Sequence, residues 1–584
     1  MQSEVFNTIE QSEDGLGLYA GWQSLAGMLG INVRTGTSPR PYCIGIDGYV
    51  GVDWDCVSAC VKQALETADG VESVSIISTA GYVKTEKELS SVYARYIENG
   101  DPLFGKVFRG GLKHLFSAER ARDLRGGITS ARKKLGGRSV VVCIGAGALL
   151  PAYSDLYDYR IYLDMTREKS SRSNTLIGRS GSIVSSSKRT YYIDFPAYDW
   201  HRKRVVKKAD MYADGSTANS PIFIPQRTLR YVLDAISTIP FRAKPIYESG
   251  IWGGQWLIRQ RGVEGLENCA YGLELIAPEQ SVLVRTGQIT LDLPFNLIKD
   301  SCMSNLMEKR TIRKFHGDFP IRFAYDDTWG GGNLSIQVHP TTGYIKAQFG
   351  ERLHQAETYY MLDAKQGSIV HLGLQEGIDE EEFRSEMRRS ERENAVLDYT
   401  EFVQVHDAKK GDLFLIPPGT VHGAGANEIV LEISTTPYRY TFKIYDYRRS
   451  DLSGPSRALS LQHAFKVIKY FRKGIWVKEN LIAKPMLLRS GKGFAEYSLL
   501  DRREFQHAIT RVEFDARYDD STRDGFHILN LVEGEFAAVR RKGDDRNIRT
   551  FAFSETVLIP HAFGDYDIVN LGTKRCAVLK SLVR

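Results

Sequence analysis

A chain of 584 residues is too long for one hydrophobic core, and its length predicts about three or four domains. Apolar residues make up 42% and charged residues 25%, the balance of soluble globular protein, and no run approaches the roughly eighteen apolar residues of a membrane-spanning helix. With 77 basic against 71 acidic residues the net charge is only +6, so charge alone makes no case for nucleic-acid or membrane-surface binding.

The seven cysteines (Cys43, Cys56, Cys60, Cys143, Cys269, Cys302 and Cys576) are odd in number and never in CxxC form, which argues against a disulfide framework and a thiolate metal site. The start, Met1 to Val5, has no basic region followed by an apolar one, and a cytoplasmic location is expected.

Residues 1 to about 40 carry no strong period. Tyr42 to Gly48 reads as a short apolar strand running into a glycine turn, with a helix expected over Val57 to Ala68. A phosphate-binding loop would sit between such a strand and helix. The loop here, Asp47 to Asp55, has no Lys for phosphates, no following Ser or Thr for magnesium, and aspartates that repel polyphosphate. Arg138 to Gly145 and Tyr159 to Asp164 read as further buried strands, so a parallel α/β domain is expected over about 40 to 210. This stretch resembles the uridine kinase and phosphoribulokinase group of P-loop kinases in its strand-then-glycine start, its Gly147-Ala148-Leu149-Leu150 segment and its Asp158 to Asp164 strand. The missing loop lysine departs from that group.

Beyond it, Arg202-Lys203-Arg204 and Lys207-Lys208 follow an aromatic stretch and are expected to form a solvated face. Asp214 to Pro221 reads as a loop, and Thr228 to Ile239 as a short helix. From Pro240 the chain changes to short strands broken by Gly and Pro, the pattern of an all-β fold.

Within that part, Leu334 to Pro340 alternates, so that Ser335, Gln337 and His339 share one strand face. Glu357 lies eighteen residues after His339 at the start of a strand, and His422 opens a strand after the Pro417-Pro418-Gly419-Thr420 turn. Gln337, His339, Glu357 and His422 make a nitrogen and oxygen donor set suited to zinc, less selectively to iron or manganese. His316, His354, His371 and His406 rank lower, because none shares a strand face with an obvious partner.

Residues 240 to 584 resemble the class I mannose-6-phosphate isomerases of the cupin superfamily. The matching segments are Trp252-Gly253-Gly254, Ser335 to Pro340, Glu357, Pro417 to His422, and Leu431 to Ser434 leading to Thr441 to Tyr447. The resemblance implies that Gln337, His339, Glu357 and His422 ligate one zinc ion. It also implies interconversion of mannose 6-phosphate and fructose 6-phosphate by proton transfer through an enediol. Glu432 is a candidate proton carrier, Lys443 a catalytic and substrate-binding cation, Ser335 a substrate contact and Lys346 a weaker one. Two departures stand out: Lys443 replaces an arginine of the family strand, losing its bidentate fork, and Gln355-Ala356 replaces a Lys-Pro pair before the glutamate. The last 130 or so residues repeat the barrel rhythm, with Pro560 in the role of Pro417 and Asp565 where His422 stands, so a second barrel without a metal is expected.

The expected architecture is multidomain: a degenerate kinase-like α/β domain at 1–215, a metal-binding cupin barrel (a double-stranded β-helix) with inserted helical segments at 240–450, and a second cupin-like barrel at 451–584. The expected partner is a hexose 6-phosphate, with neither nucleic acid nor membrane. The alternatives are a regulatory cupin that binds a sugar phosphate without turnover, and a bifunctional isomerase and kinase.

Overall fold

A computed structural model of the protein describes residues 7–9, 17–35, 40–98, 100–172, 188–437, 439–450, 457–544 and 548–584. It divides into two compact units. One draws on Thr8–Ile236 and Ser281–Cys302, the other on Ser237–Gln280 and Met303–Arg584. Among the described residues no helix is long and apolar enough to cross a membrane, and all seven cysteines carry free thiols.

The first unit is a mainly parallel sheet. Its strands are β1 (Tyr42–Gly48), β2 (Ser73–Ser78), β3 (Ser139–Ile144), β4 (Tyr159–Asp164), β5 (Met211–Asp214) and β6 (Ile222–Pro225). They lie in the order β2-β3-β1-β4-β5-β6, followed by the two-residue edge strand Tyr19–Ala20; β6 runs antiparallel to both of its neighbours and the other pairs are parallel. Val140, Val141, Val142, Cys143 and Ile144 in β3 and Cys43, Ile44 and Ile46 in β1, all buried, suit a sheet covered on both faces. Helix α1 (Trp54–Glu66) begins three residues before its expected start, because the Asp53 carboxylate caps it by accepting from Cys56 N at 3.0 Å.

At the end of β1 a phosphate-binding loop would present free amides. Here the fully buried Asp47 takes one of them, its Oδ1 accepting from Gly48 N (2.8 Å), and ties the end of β1 to the turn after β3: Oδ1 also accepts from Gly147 N (2.9 Å) and Oδ2 from Leu149 N (2.8 Å), while His201 Nε2 lies 2.7 Å from Oδ2. A buried carboxylate at this point repels an approaching anion. The expectation of a solvated basic face holds for Lys203 and Arg204 but not for Arg202. Helix α2 (Phe195–Val205) turns Arg202 inward, where it pairs with Asp164 at 3.3 Å and Asp199 at 2.8 Å. The 3.6-residue period decides this, since Phe195, Tyr198 and Arg202 fall on one buried face.

In the second unit one sheet holds β7 (Ile246–Glu248), β8 (Tyr271–Leu275), β9 (Ile321–Asp327), β11 (Glu357–Ala364), β14 (Leu413–Ile416) and β16 (Glu428–Thr435), in the order β14-β11-β16-β9-β8-β7. A second sheet holds β10 (Ile336–Val338), β12 (Ile369–Leu374), β13 (Val403–Asp407), β15 (His422–Ala424) and β17 (Phe442–Tyr445), in the order β13-β12-β15-β10-β17. The strand expected over Leu334 to Pro340 shortens to the three residues of β10.

The chain then builds two more antiparallel sheets from β18 (Met486–Gly491), β19 (Phe494–Leu500), β20 (His507–Phe514), β21 (Arg517–Ser521), β22 (His527–Glu533), β23 (Phe536–Arg541), β24 (Ile548–Ala552), β25 (Thr556–Ile559), β26 (Asp565–Asn570) and β27 (Cys576–Val583). Their orders are β18-β19-β20-β27-β22-β25 and β21-β26-β23-β24. Asp565 opens β26 as His422 opens β15, but its carboxylate accepts from Ser521 Oγ at 2.7 Å and pairs with Arg523 at 2.6 Å.

Two predictions follow from these buried groups. Removing the Asp47 carboxylate strands three backbone amides, so Asp47→Ala is expected to lose about 3 kcal/mol or more of stability in urea unfolding. In β20, His507 is fully buried with neither ring nitrogen hydrogen-bonded, and burial pushes its pKa down to about 3. The unfolded imidazole protonates near pH 6.5 and the folded one does not, so its contribution is complete above that pH and falls by about 1 kcal/mol per unit below it. His507→Leu should therefore flatten the fall in urea midpoint between about pH 6.5 and 4.

Candidate metal centre

Strand register sets the site. Gln337 on β10 pairs with His422 on β15 and with Lys443 on β17, so these three side chains line one row of the second sheet. In the first sheet Glu357 pairs with Ser434, which pairs with Arg322, and Tyr359 pairs with Glu432 in the next row. The two strands carrying Gln337 and His422 approach closely because residue 423 is glycine: a Cβ there would lie 2.8 Å from Ser335 O. The turn before His422 needs Gly419 at φ +88°, and Arg472 holds it by donating to Pro417 O (2.9 Å), Pro418 O (2.7 Å) and Thr420 Oγ1 (2.7 Å).

The result is a buried cluster in which one donor atom each from His339, Glu357 and His422 lies within 4.8 Å of the others. Glu357 Oε2 is 2.5 Å from His339 Nε2 and 3.5 Å from His422 Nε2. Neither His339 Nε2 nor Glu357 Oε2 makes a hydrogen bond, although both are buried. The other ring nitrogens are engaged: His339 Nδ1 lies 3.2 Å from Tyr440 O, and His422 Nδ1 lies 2.9 Å from Thr420 O. A carbonyl there accepts only from an N–H, so each Nε2 turns a lone pair to the centre, the tautomer a metal ligand needs. Gln337 brings its amide to the same point, Nε2 lying 3.3 Å from His422 Nε2, and its Oε1 accepts from Ser335 Oγ at 3.0 Å. The two imidazoles and the carboxylate fit a divalent ion, whereas Gln337 turns its NH2 to the centre and its oxygen to Ser335, so it would ligate only with its amide turned over. Among the described residues no other group of three His, Cys, Asp or Glu converges in this way.

The remaining candidates fall at different distances from this centre. Glu432 lies on the inner face, its Oε1 accepting from Arg322 Nη2 (2.9 Å) and Ser434 Oγ (2.6 Å). Burial, then the charge of Glu357, pushes its carboxyl up to about 7. Burial also opposes ionisation of Glu357, but the neighbouring His339 and His422 outweigh it and hold that carboxyl well below the usual range. Lys443 flanks Gln337, and Ser335 orients the Gln337 amide. Lys346 is exposed on the helix Thr342–Phe349. His354, His371 and His406 are taken up by Thr342 Oγ1, by Gly423 O and Tyr399 Oη, and by Leu372 O respectively.

The sequence did not single out Arg322, Asp326 or Tyr359. Arg322 is a buried cation beside Glu432, and with the Gln355 amide oxygen turned toward it the two lie 3.1 Å apart. Asp326 and Tyr359 are buried on the same inner face, with both Asp326 oxygens and Tyr359 Oη lacking hydrogen-bond partners. The available signal was the charge in Ile321-Arg322-Phe323, an arginine inside an otherwise apolar strand start.

A family model described as "Domain of unknown function (DUF8485)" matches residues 21–238. The chain is also similar to the mannose-6-phosphate isomerase ManA of Bacillus subtilis, 26% identical over 238 residues, which is 40% of this chain and 69% of that protein. It is also 31% identical to a mannose-6-phosphate isomerase of Streptococcus mutans over 135 residues, 23% of this chain and 40% of that one. Among solved structures, a mannose 6-phosphate isomerase from Bacillus subtilis aligns with 59% of this chain and 100% of its own at 20% identity and a TM-score of 0.47. The chain is thus homologous to mannose-6-phosphate isomerases over about 40% of its length.

The centre predicts its own occupancy. The full chain should hold about one zinc ion per molecule by plasma mass spectrometry. His422→Ala and Glu357→Ala should each weaken zinc binding by more than the roughly 10–100-fold that loss of an outer partner costs.

Proposed function

We propose that this chain is a zinc-dependent aldose–ketose isomerase that interconverts mannose 6-phosphate and fructose 6-phosphate. The observation that carries the reading is the convergence of His339, Glu357 and His422 with their lone pairs turned inward, in a chain similar over 40% of its length to a protein named for that activity. Zinc is favoured over iron or manganese by the imidazole-rich donor set, with Gln337 as the fourth donor once its amide turns its oxygen from Ser335 to the ion. When bound, such an ion supplies Lewis-acid polarisation of a carbonyl or hydroxyl oxygen.

The chain's own residues do the rest. Glu432 takes the role of proton carrier between C1 and C2, supported by its place on the inner face and by the Arg322 and Ser434 donors that hold one carboxylate oxygen and leave the other to act. Lys443, in the row with Gln337 and His422, supplies a cation for the substrate's negative charge. Ser335 acts through Gln337 rather than on the sugar, since its hydroxyl is spent on that amide.

The segments 1–215, 240–450 and 451–584 remain the proposed domains. The first is a kinase-like scaffold without phosphate transfer, supported by the missing loop lysine and by the buried Asp47 carboxylate at the end of β1.

The deciding assay follows mannose 6-phosphate turnover by the full chain before and after chelation. Activity should vanish with the metal and return with zinc. Glu432→Gln should keep its metal and lose about 10²–10⁴-fold in kcat, whereas Lys443→Ala should act mainly on KM. Unchanged turnover after complete metal removal would sink the reading, and full metal content with no turnover of hexose 6-phosphates would favour a regulatory role.

A further inference from the structure

The C-terminal pair of sheets has an interior of two characters. One end is packed by Val512, Phe514, Leu529, Leu531, Val539 and Phe551, all fully buried. The same inward alternation, followed along β20 and β27 to the other end, turns polar at Thr510 and Lys580. These pair across the sheet with each other, and Thr510 pairs with Ser498 on β19. With Glu496, Asp520 and His527 they line a cavity of about 640 Å³. That volume is within the range of about 300–1,000 Å³ typical of small-molecule sites.

We propose that this cavity is a second binding site, for an uncharged polyhydroxylated ligand of the sugar or polyol class. It is separate from the metal centre and does not rest on the isomerase reading. The charged groups neutralise one another in place. Lys580 Nζ lies 3.1 Å from Glu496 Oε1 and 2.6 Å from Asp520 Oδ2. The second Glu496 oxygen is held by Arg489 Nε at 2.5 Å and Tyr518 Oη at 2.8 Å.

Two carboxylates and two cations thus leave a wall without net charge but rich in acceptors and donors. The bland alternative is a purely structural ion-pair network. Such a network explains the charges but not Thr510, a cavity-lining residue only 8% exposed whose buried hydroxyl has no hydrogen-bond partner. An unmet buried hydroxyl is costly, and a ligand hydroxyl would satisfy it.

Beside this polar row, along the same strands, the lining turns apolar at Leu500, Ala508 and Leu582. A hydrogen-bonding strip beside an apolar strip suits a sugar ring, with its hydroxyl rim and its C–H face. An anion is disfavoured, because Glu308, Asp501 and Asp524 outnumber Arg310 and Arg584 at the rest of the lining.

The test is titration calorimetry and saturation-transfer NMR on the full chain with D-mannose, D-fructose and maltose, and with mannose 6-phosphate for comparison. Each is run with the wild-type chain and with His422→Ala, which disables the metal centre. At least one neutral probe should bind in the millimolar range in both chains. Thr510→Val, nearly isosteric, should weaken it by about 5-fold, the loss of one hydrogen bond. Ala508→Phe, which fills the cavity, should abolish it, with thermal melting showing that both variants fold. The proposal is overturned if no neutral probe binds at about 50 mM, a limit far weaker than ordinary small-molecule affinity. It is equally overturned if binding disappears with His422→Ala, ignores Thr510→Val, or favours the phosphorylated sugar in the His422→Ala chain.

Discussion

Two imidazoles and a carboxylate converge in the interior, and two of their donor atoms, His339 Nε2 and Glu357 Oε2, make no hydrogen bond, an arrangement that costs free energy unless something shared lies between them. A cation between them, a metal ion or a proton, relieves that cost. Much of the surrounding structure is organised to hold that geometry. Backbone carbonyls of Thr420 and Tyr440 fix the ring tautomers, Gly423 lets β10 and β15 close up, and Arg472 braces the turn that delivers His422. None of these groups needs to touch a substrate. They set the direction of two lone pairs.

Two other buried charges, in the first unit, are resolved differently. Asp47 spends both oxygens on backbone amides and His201, and Arg202 is met by Asp164 and Asp199. Those groups are satisfied by the chain itself, so they stabilise a fold and leave no coordination to offer. An anion approaching the end of β1 would meet a buried carboxylate that already makes these bonds. The contrast separates a closed polar core from an open one by hydrogen-bond accounting rather than by residue type.

The two pairs of antiparallel sheets share a rhythm of strand, proline turn and polar residue opening the next strand, and they diverge at that last position. His422 turns inward, whereas Asp565 stays 42% exposed and pairs with Arg523. The second pair keeps a polar interior, but from β19, β20 and β27 rather than from the turn. Its Lys580, held between Glu496 and Asp520, takes the central place that a cation would need.

The sequence by itself determined the local elements with strong period. Tyr42–Gly48 and Tyr159–Asp164 are strands with the expected ends, Glu357 and His422 each open a strand, and the alternation around Gln337 puts it with His339 on one face. Periodicity is a short-range property, so it is legible without knowing what a strand pairs with. The tertiary structure alone decided which faces meet. Arg322 enters the site only because β9 pairs with β16 in a register that sets it opposite Ser434, and nothing within Ile321–Asp327 reveals that partner. Arg202 left the expected solvated face for the same reason: its charge became affordable to bury once Asp164 and Asp199, from distant and neighbouring turns, were brought against it. Long-range pairing, which turns scattered polar residues into a site, is a property of register and packing, and a single sequence carries no local trace of it.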